Sequence, residues 1–476
     1  MGWLAWGAFV PWLFLLEECS PRRAFGRSYL LGLLFFGGTM GWVGLVAIPG
    51  VVLLAPALAF YFAAWGWLAN RILARYRGAV AAPLILLPAS WVVLEYVRSH
   101  LLSGLGWNLL AHTQWNRIPL IQIADLTGVW GLSFLVVLVN AALFLAAGGK
   151  RKKKISALAA SACLVAAVLA YGTFRLHRLG SSVSGVSRQD TLRVALLQGN
   201  VPQMQKWDES FEEAIWKRYL DLVGQAKERR PDLIVWPETA VPGYLEDSLV
   251  FARLQGISRS TGIEMLVGLP TEEIETGLPY NSALLLGPDG QEKALYSKIH
   301  LVPFGEFIPF KPVLGWLKRF YPVADFAPGK QFTVFPMEPP VSVLVCFEDL
   351  FPELARRFVR EGAGWLLVIT NDAWFDRSAA SLQHLQCSVF RAVENRVWVG
   401  RAANSGWTGF VDPAGRRLPP PGQIPLYKAG VAVAEIPLKA AGGSPYVRWG
   451  DWLPILCLLL TAGDIMRNYH GNARSA

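Results

Sequence analysis

The chain has 476 residues, of which 53% are hydrophobic and 17% are charged, and its mean hydropathy is +0.34. This composition excludes an ordinary soluble enzyme of this length and indicates a membrane protein. The part before position 179 is mostly apolar, whereas the part from 191 to 438 has the mixed composition of a globular domain. The sequence therefore predicts membrane helices over residues 1–180, a linker at 181–190, a globular domain at 191–438 and a last membrane helix at 450–468.

Seven apolar segments have the composition of membrane spans. They cover residues 2–16, 28–48, 51–69, 80–97, 129–147, 155–174 and 452–466. The first segment is short, and it lacks the basic leader and small-residue cleavage site of a signal peptide. We therefore expect a retained span that is tilted or partial.

The formal net charge of +10 is compatible with nucleic-acid binding, but much of the basic excess lies in short loops between apolar segments. These loops alternate along the chain, at residues 22–27, at 71–77, at 150–154 (KRKKK) and after the last span. Such alternation reflects membrane topology, because basic loops stay in the cytoplasm. The N-terminus, the loop at 98–128 and the globular domain are then expected on the outer, periplasmic face of the inner membrane.

Two ionisable residues, Glu95 and Arg98, lie near the end of a predicted span at the i, i+3 spacing of a helix. Ionisable groups at membrane depth are costly, so either a functional role or a structural ion pair is expected. The loop that follows, SGLGWNLLAHTQWN, has the glycine and tryptophan content of an interfacial loop over an entrance from the bilayer. From the residues alone, its Trp107 is predicted to be an aromatic anchor at the membrane surface.

The globular part begins after the polar run SSVSGVS and contains short β-rich segments separated by helical ones. The predicted strands cover residues 192–198, 233–236, 265–268, 282–286, 342–345, 365–369 and 397–402, and the predicted helices cover 211–227, 248–261 and 381–396. This alternation predicts an α/β domain. PDG at 288–290 and DPAG at 412–415 are predicted to be hairpin turns.

Cys346 follows the β-branched run VSVLV and precedes an acidic, proline-containing helix start. The pattern predicts a strand-to-helix elbow, which exposes the side chain and directs backbone N–H groups toward it. Such an environment favours a thiolate and a developing oxyanion. The alternative is a small buried cysteine. Cys387, the other cysteine of this domain, lies in the amphipathic pattern SLQHLQCSVFRAVENR and is expected to be structural.

Two further segments place ionisable residues at the ends of predicted strands. LIVWPETAVP carries Glu238, and YSKIHLVPFGEFIP carries Lys298. Taken singly, a surface glutamate and a solvated lysine are the simpler interpretations. Together with Cys346, the three residues supply a base, a cation and a nucleophile.

The motifs WPET, SKIHLVPFGEFIP, VCFED and TNDAWF, in this order, resemble the nitrilase (carbon–nitrogen hydrolase) superfamily. The apolar first third and the final span make the chain more similar to the membrane-bound branch of that superfamily, the apolipoprotein N-acyltransferases. The resemblance covers nearly the whole chain and implies a polytopic membrane domain with a nitrilase α-β-β-α sandwich. Family members usually have one more N-terminal span, so this chain is expected to begin where their second span would.

The resemblance implies a role for each member of the triad. Glu238 would take the proton of Cys346 and later deprotonate the attacking amine. Lys298 would stabilise the thiolate and the oxyanion by its charge, and the N–H of Phe347 would complete the oxyanion hole.

Further residues match family positions that support the triad or contact substrate. Glu306 and Glu348 match acidic residues of the family motifs and would orient the Lys298 ammonium, although Glu348 also fits a first-turn helix acid. Phe347 stands where the family commonly has tyrosine, so a hydroxyl role is lost and aromatic packing remains. Trp207 matches a substrate-handling position, with packing as the alternative, and Trp107 matches a position near the active site.

The resemblance implies transfer of an acyl chain from a membrane phospholipid to Cys346, and then to the α-amino group of diacylglyceryl-cysteine on an apolipoprotein, by a ping-pong mechanism. This would be the last step of lipoprotein maturation. One alternative is a membrane-tethered amidase or nitrilase that acts on a small soluble amide. Another is a transporter or lipid-binding protein with an inactive globular domain, against which the intact triad argues.

No cofactor is expected. The chain has no GxGxxG, P-loop or His/Cys cluster, and its five cysteines show neither CxxC nor regular spacing, so neither a disulfide framework nor a zinc site is predicted. His300 and His384 are predicted to be single and unpartnered. Asn371, Asp372 and Trp374 are expected to shape the floor of the pocket without a catalytic role.

Overall fold

The computed structural model describes residues 2–46, 48–148, 151–180, 188–273, 276–316, 325–438 and 443–473. The chain divides into two compact units, residues 1–180 with 444–476 and residues 181–443. Residues 181–187, which carry most of the predicted linker, lie outside the described residues.

The first unit begins with helices that are rich in apolar residues. They are α1 (Phe9–Glu17), α2 (Pro21–Thr39), α3 (Val43–Val46), α4 (Ile48–Arg75), α5 (Ala81–His100), α6 (Ile118–Ile121), α7 (Ala124–Thr127), α8 (Trp130–Gly148) and α9 (Arg151–Leu179). Within the described residues, four segments are long and apolar enough to cross a membrane: Gly50–Arg75, Ala81–His100, Trp130–Gly148 and Lys154–Leu179. They confirm the spans predicted at 51–69, 80–97, 129–147 and 155–174.

Of the other predicted spans, the one at 2–16 corresponds to the short apolar helical stretch Gly2–Glu17, whereas the one at 28–48 has the wrong boundaries. The segment at 2–16 is divided into a 3₁₀ turn, Gly2–Trp6, and the nine-residue α1. The bounds predicted for the segment at 28–48 are both later in the chain than those of the helix, since α2 starts at Pro21 and ends at Thr39. Proline is favoured in the first turn of a helix, and the glycines at 37, 38 and 41 weaken its end.

Helices α2 and α4 pack closely through small residues. A Cβ atom on Gly32 would lie 2.9 Å from the Cα atom of Ala59, and one on Gly66 would lie 1.8 Å from Ser28 Oγ. Small side chains allow two helix backbones to approach, which is how helices associate in a bilayer. Larger residues at either glycine would force these helices apart.

The second unit contains two β-sheets. Its strands are β1 (Thr191–Gln198), β2 (Leu233–Val235), β3 (Glu264–Glu273), β4 (Leu278–Leu286), β5 (Glu292–Ser297), β6 (Val341–Val345), β7 (Trp365–Thr370), β8 (Trp398–Ala403), β9 (Thr408–Val411), β10 (Gln423–Ile424) and β11 (Gly430–Pro437). The six-stranded sheet has the order β11-β1-β2-β3-β4-β5, and the five-stranded sheet has the order β10-β9-β8-β7-β6. The seven predicted strands are confirmed, and β5, β9, β10 and β11 are additional.

Helices cover the sheets. They are α10 (Glu212–Glu228), α11 (Ser248–Thr261), α12 (Lys311–Leu314), α13 (Pro352–Arg360) and α14 (Ala380–Asn395). Helices α10 and α11 share an apolar core with the six-stranded sheet, α14 packs on β8, and β1 lies against β8. This is the predicted α-β-β-α sandwich. The first unit is then completed by α15 (Pro445–Trp449) and α16 (Trp452–Ala473), which contains the predicted segment 452–466.

Parallel pairing places the candidate residues at strand ends. Strands β1, β2 and β3 run parallel to one another, as do β6, β7 and β8. Glu238 follows β2, Cys346 follows β6 and Asn371 follows β7. Because open α/β sheets bind ligands beyond the carboxyl ends of their parallel strands, this edge is the first place to search for a site.

Candidate active site

Cys346 occupies a strained elbow. Strand β6 ends at Val345. Cys346 follows with φ 53°, in the left-handed region of backbone conformation that residues other than glycine rarely adopt. A 3₁₀ turn, Cys346–Leu350, follows directly. The predicted elbow is confirmed, but the α-helix starts only at Pro352, after this turn.

Glu238 is held rigidly at the end of β2. Its Oε1 atom accepts a hydrogen bond from Asn281 Nδ2 at 2.7 Å, and its Oε2 atom accepts one from the backbone N–H of Asn371 at 2.7 Å. The residue is 6% exposed, which is inconsistent with a solvated surface glutamate. Both oxygens therefore have a fixed direction toward the interior of the site.

Lys298 is the cation of the site. Its side chain is 1% exposed, and its Nζ atom lies 2.8 Å from Glu306 Oε2 and 3.9 Å from Glu238 Oε1. Burial lowers the pKa of Lys298, but the carboxylates of Glu306 and Glu238 more than reverse this effect and hold that pKa above its ordinary value. The lysine stays protonated, so the interpretation as a solvated side chain is wrong.

Glu306 contacts the ammonium group of Lys298 directly. Its Oε1 atom accepts hydrogen bonds from Lys298 Nζ and Asn281 Nδ2, both at 2.9 Å, and its Oε2 atom accepts one from the N–H of Val302 at 2.8 Å. Asn281 thus joins Glu238 to Glu306, a role that the sequence analysis missed. The signal for it is a single amide side chain within the buried apolar strand β4, where a polar group needs partners.

The surroundings of the Cys346 thiol oppose its ionisation. Burial, with the charge of Glu238, raises the pKa of Cys346 well above its ordinary value, and the opposing effects of Lys298 and the Thr370 hydroxyl do not reverse this. This direction is opposite to the lowering of the thiol pKa that was expected from the elbow. A half-buried thiol of this kind becomes a nucleophile when a neighbouring base removes its proton during the reaction.

Glu348 connects the elbow to the segment that carries Lys298. Its Oε1 atom accepts hydrogen bonds from Tyr296 Oη at 2.8 Å and from the N–H groups of Ile299 at 2.7 Å and His300 at 3.0 Å, and its Oε2 atom accepts one from the N–H of Val345 at 2.7 Å. Burial raises the pKa of Glu348 to about 7, while the backbone N–H donors oppose the rise. Glu348 also lies in the first turn after the elbow, as the alternative expected, and there it accepts the hydrogen bond from Val345 as a buried residue.

Phe347 packs in an aromatic group beside the elbow. Its ring centroid lies 5.2 Å from that of Phe351 and 5.9 Å from that of His300, and the His300 ring stacks on Phe351 at 3.7 Å. These contacts support the predicted packing role of Phe347. They also show that His300 is not an unpartnered residue.

His384 belongs to a buried charge cluster, which we call the His384 cluster and which contains Asp349, Asp372, His384 and Arg401. The imidazole Nδ1 lies 2.9 Å from Asp372 Oδ1, and Nε2 lies 2.9 Å from Asp349 Oδ1. Arg401 contacts both aspartates, at 3.0 Å and 3.1 Å. The prediction that His384 is unpartnered is therefore wrong, and Asp349 and Arg401 were missed because their partners are distant in sequence.

The cluster is charged. Burial and Arg401 lower the pKa of His384, but Asp349 and Asp372 outweigh them and bring it to about 9. The pKa values of Asp349 and Asp372 are held below their ordinary values, because His384 and Arg401 outweigh the opposing effect of burial. Two cations and two carboxylates thus balance one another next to the elbow.

Lys206 is a second buried lysine beside the site. Its Nζ atom donates hydrogen bonds to the backbone carbonyl of Glu238 and to Thr239 Oγ1, both at 2.9 Å. Burial lowers its pKa to about 7, against the charges of Glu238 and Cys346. The neighbouring Trp207 is 53% exposed, as a residue that meets a substrate would be, and the sequence analysis selected it while missing the lysine.

Trp107 lies in the other unit and is described there by itself. Its ring is 3% exposed and lies 4.9 Å from that of Trp42, which does not fit an anchor at the membrane surface. Arg98 Nη1 donates to the Trp107 carbonyl at 2.7 Å, and Glu95 Oε1 accepts from the N–H of Leu110 at 2.7 Å. Glu95 and Arg98 therefore support their own loop, and a role of Trp107 in substrate binding stays a prediction.

Cys387 is not part of the candidate site. It is 1% exposed on α14, its Sγ atom lies 3.8 Å from the carbonyl of Gln383, and burial raises its pKa. This supports a structural cysteine. Among the residues that the structure describes, no group of three or more His, Cys, Asp and Glu side chains is arranged to hold a metal ion.

Comparison with known proteins assigns the class of the second unit. Residues 193–446 match the family model described as carbon–nitrogen hydrolase, and residues 1–142 match the apolipoprotein N-acyltransferase N-terminal domain. Similar solved structures include Saccharomyces cerevisiae Nit3, with 19% identity over 53% of this chain and 92% of that chain and a TM-score of 0.42. An amidase from Nesterenkonia sp. has 24% identity over 60% of this chain and 100% of that chain, with a TM-score of 0.41. The second unit is a nitrilase-type domain.

Relatives extend the similarity over both units. A protein of Geobacter metallireducens named apolipoprotein N-acyltransferase is 39% identical over 96% of this chain and 89% of its own length. A protein of the same name from Methylococcus capsulatus is 34% identical over 94% of this chain and 88% of its own length. The chain belongs to the apolipoprotein N-acyltransferase family. The predicted family and enzyme class are thereby confirmed, and the alternative of a membrane-tethered amidase is not favoured.

Proposed function

We propose that this chain transfers an acyl chain from a membrane phospholipid, through a thioester on Cys346, to the α-amino group of diacylglyceryl-cysteine on an apolipoprotein. The observation that carries the proposal is the arrangement of a fixed carboxylate, a protonated lysine and a thiol at one edge of a nitrilase-type domain. Glu238, Lys298 and Cys346 supply the base, the oxyanion-stabilising charge and the nucleophile that acyl transfer requires.

In the first half-reaction, Glu238 takes the thiol proton as Cys346 Sγ attacks the ester carbonyl carbon of the phospholipid. The oxyanion that forms is stabilised by Lys298 and by the N–H of Phe347. When the tetrahedral intermediate collapses, the C–O bond breaks, the lysophospholipid alkoxide takes the proton from Glu238, and the acyl chain remains on sulfur as a thioester.

In the second half-reaction, the α-amino nitrogen of the apolipoprotein attacks the thioester carbonyl carbon, and Glu238 takes a proton from that nitrogen. Collapse of the second tetrahedral intermediate breaks the C–S bond, leaves an amide, and returns the proton from Glu238 to the Cys346 sulfur. Because the enzyme ends in its starting state, the two substrates react in sequence at one site. This is a ping-pong mechanism.

The proposed location is the inner membrane, with the catalytic domain on its periplasmic side. The four apolar helices and the alternation of basic loops support it. Lipid-anchored substrates then reach the site without leaving the bilayer. The domain boundaries predicted from the sequence, with the catalytic domain at 191–438, are part of this proposal, as is the role of Trp207 and Trp107 in substrate binding.

Mass spectrometry of the protein purified from its membrane tests the function. We expect an adduct with the mass of a fatty acyl chain on Cys346, sensitive to hydroxylamine as thioesters are, and formed again when the stripped protein is supplied with phospholipid vesicles. Cys346→Ser should carry no thioester, whereas Cys387→Ser should carry it normally. An adduct on Cys387, or no adduct in the presence of phospholipid, would contradict the proposal.

A further inference from the structure

The imidazole of His384 contacts the backbone of the elbow itself. Its Nε2 atom lies 3.2 Å from the carbonyl oxygen of Cys346 and 2.9 Å from Asp349 Oδ1. Both neighbours are hydrogen-bond acceptors, so the arrangement assigns a proton to Nε2. His384 therefore offers a hydrogen-bond donor to the carbonyl of the residue that carries the nucleophile.

The rest of the His384 cluster prevents this imidazole from rotating. Its Nδ1 atom lies 2.9 Å from Asp372 Oδ1, Arg401 pairs with Asp349 and Asp372, and all four side chains of the cluster are 0% exposed. Its members come from the elbow turn, from the segment after β7, from α14 and from β8. A ring held from both sides, by elements of one sheet and its helix, is a fixed support.

The geometry of the peptide bond carries this support to the oxyanion hole. The carbonyl of Cys346 and the N–H of Phe347 belong to the same planar, trans peptide unit, so they point in opposite directions. A group that holds the carbonyl on one side also sets the direction of the N–H on the other side. Because Cys346 has a strained φ of 53°, this peptide needs such an external hold to keep its orientation.

We propose that His384 is a positioning residue for acyl transfer: by holding the carbonyl of Cys346, it directs the N–H of Phe347 toward the developing oxyanion. This inference rests on the proposed function in one respect, the formation of a thioester at Cys346. The imidazole does not touch substrate. Its effect reaches the reaction only through the peptide unit between Cys346 and Phe347.

Two reactions of the same thiol distinguish positioning from a general structural role. Alkylation of Cys346 by iodoacetamide requires deprotonation but forms no oxyanion. Acylation by a p-nitrophenyl ester passes through a tetrahedral oxyanion. Its rate is measured from the initial burst of released p-nitrophenol. The ester does not depend on the natural acyl donor, so failure of the inference can be separated from failure of the proposed function.

A matched pair of variants in the full-length protein makes the test. In His384→Gln, the amide nitrogen replaces Nε2 and can still donate to the Cys346 carbonyl. In His384→Asn, the shorter amide replaces the Nδ1 side and cannot reach that carbonyl. Both remove the imidazole charge equally. We expect alkylation to stay within about 3-fold of wild type in both variants, because oxyanion-hole donors contribute roughly 100- to 1,000-fold to acyl transfer and nothing to alkylation.

Acylation should fall by about 100-fold or more in His384→Asn and by less than about 10-fold in His384→Gln. Equal acylation in the two variants, or alkylation that falls as far as acylation, would overturn the inference. If either variant is unfolded, as judged by its tryptophan fluorescence, Asp372→Asn decides. This variant keeps the imidazole of His384 but weakens the contact that fixes its orientation. Acylation should therefore fall by roughly 10-fold while alkylation stays normal. Unchanged acylation would overturn the inference.

Discussion

The buried ammonium of Lys206 donates a hydrogen bond to the backbone carbonyl of Glu238 at 2.9 Å. It donates a second one to the hydroxyl of Thr239, which has a left-handed φ of 41°. A strained turn persists only where its surroundings hold it. The turn that carries the proposed base therefore depends on a lysine that directly precedes Trp207, the residue proposed to bind substrate.

Lys206→Met should slow thioester formation by roughly 10- to 100-fold, because it leaves a buried carbonyl and a buried hydroxyl without their donor. The measurement is the single-turnover rate of Cys346 acylation by phospholipid. Lys217→Met, a change of the same residue type at an exposed position of α10, should leave the rate unchanged. A normal rate in Lys206→Met would show that the turn at Glu238 and Thr239 keeps its conformation without the lysine.

Glu238→Gln should slow both half-reactions, because the same carboxylate is proposed to accept a proton from the thiol and then from the amine. Removal of a general base typically costs on the order of 100- to 10,000-fold. Thioester formation and its aminolysis are measured separately in single-turnover assays, with Glu246→Gln as an exposed control. Normal rates of acylation and deacylation would remove Glu238 from the mechanism.

Trp207→Ala should separate the two half-reactions. Trp207 is half exposed and makes no contribution to the triad, so we expect the thioester to form from phospholipid at a normal rate. The acyl-enzyme should then persist after addition of the apolipoprotein, because acceptor binding is impaired. Trp207→Phe keeps an aromatic surface and should retain much of the transfer. Slow formation of the thioester in Trp207→Ala would instead place this residue on the donor side.

The orientation of the protein is tested by labelling of single engineered cysteines. A cysteine placed within residues 181–187 should react with a membrane-impermeant maleimide in cells whose outer membrane alone has been made permeable. A cysteine in place of Lys152 should stay unlabelled until the inner membrane is opened, because basic loops face the cytoplasm. The reverse pattern would invert the proposed topology.

The His384 cluster predicts a pH dependence of stability. Although burial opposes it, the charges of Asp349 and Asp372 raise the pKa of His384 to about 9 in the folded protein, whereas an unfolded histidine titrates near 6.5. Stability from the bound proton is therefore full below about pH 6.5 and is lost as the pH rises through about 9. Its size is on the order of 3 kcal/mol.

Unfolding in detergent, followed by tryptophan fluorescence, measures this contribution. The free energy of unfolding of wild type should exceed that of His384→Gln by the largest amount at about pH 6. This difference should narrow steadily toward about pH 9.5. Comparison of the two proteins at each pH cancels the titration of other groups. A gap that stays constant over this range would mean that His384 is neutral in the folded protein.

Sequence patterns predicted the parts of this fold that depend on local periodicity. The run VSVLV before Cys346 and the apolar segment before Glu238 are buried strands, and the helix at 248–261 has the predicted bounds. Short strands such as β9 and β10 carry too few residues for a two-residue period to be visible. The predicted ends of the membrane helices were wrong where glycine and proline, rather than hydropathy, set the boundary.

The site was predictable only where residues resemble a family motif. Lys298 lies within 4 Å of Glu238 and Glu306, and the charges of Glu238 and Lys298 act on Cys346, whereas the catalytic roles of these residues stay predictions. Asn281, Lys206 and Arg401 were missed because each is one polar residue in an unremarkable segment, and its importance arises from partners in other parts of the chain. A long-range contact of this kind leaves no periodic trace in the sequence.

The hydrogen bonds that Glu348 accepts from four donor groups also bear on the order in which the domain folds. Three of their donors precede the carboxylate by 48 to 52 residues, and the fourth precedes it by 3. During synthesis, the segment that carries Lys298 is complete before the elbow is made. The Glu348 carboxylate can be buried with its hydrogen-bond donors only after that segment has folded. A partly folded chain would have to bury this group without donors, which is unfavourable. We therefore expect the elbow that carries Cys346 and the segment that carries Lys298 to become ordered together.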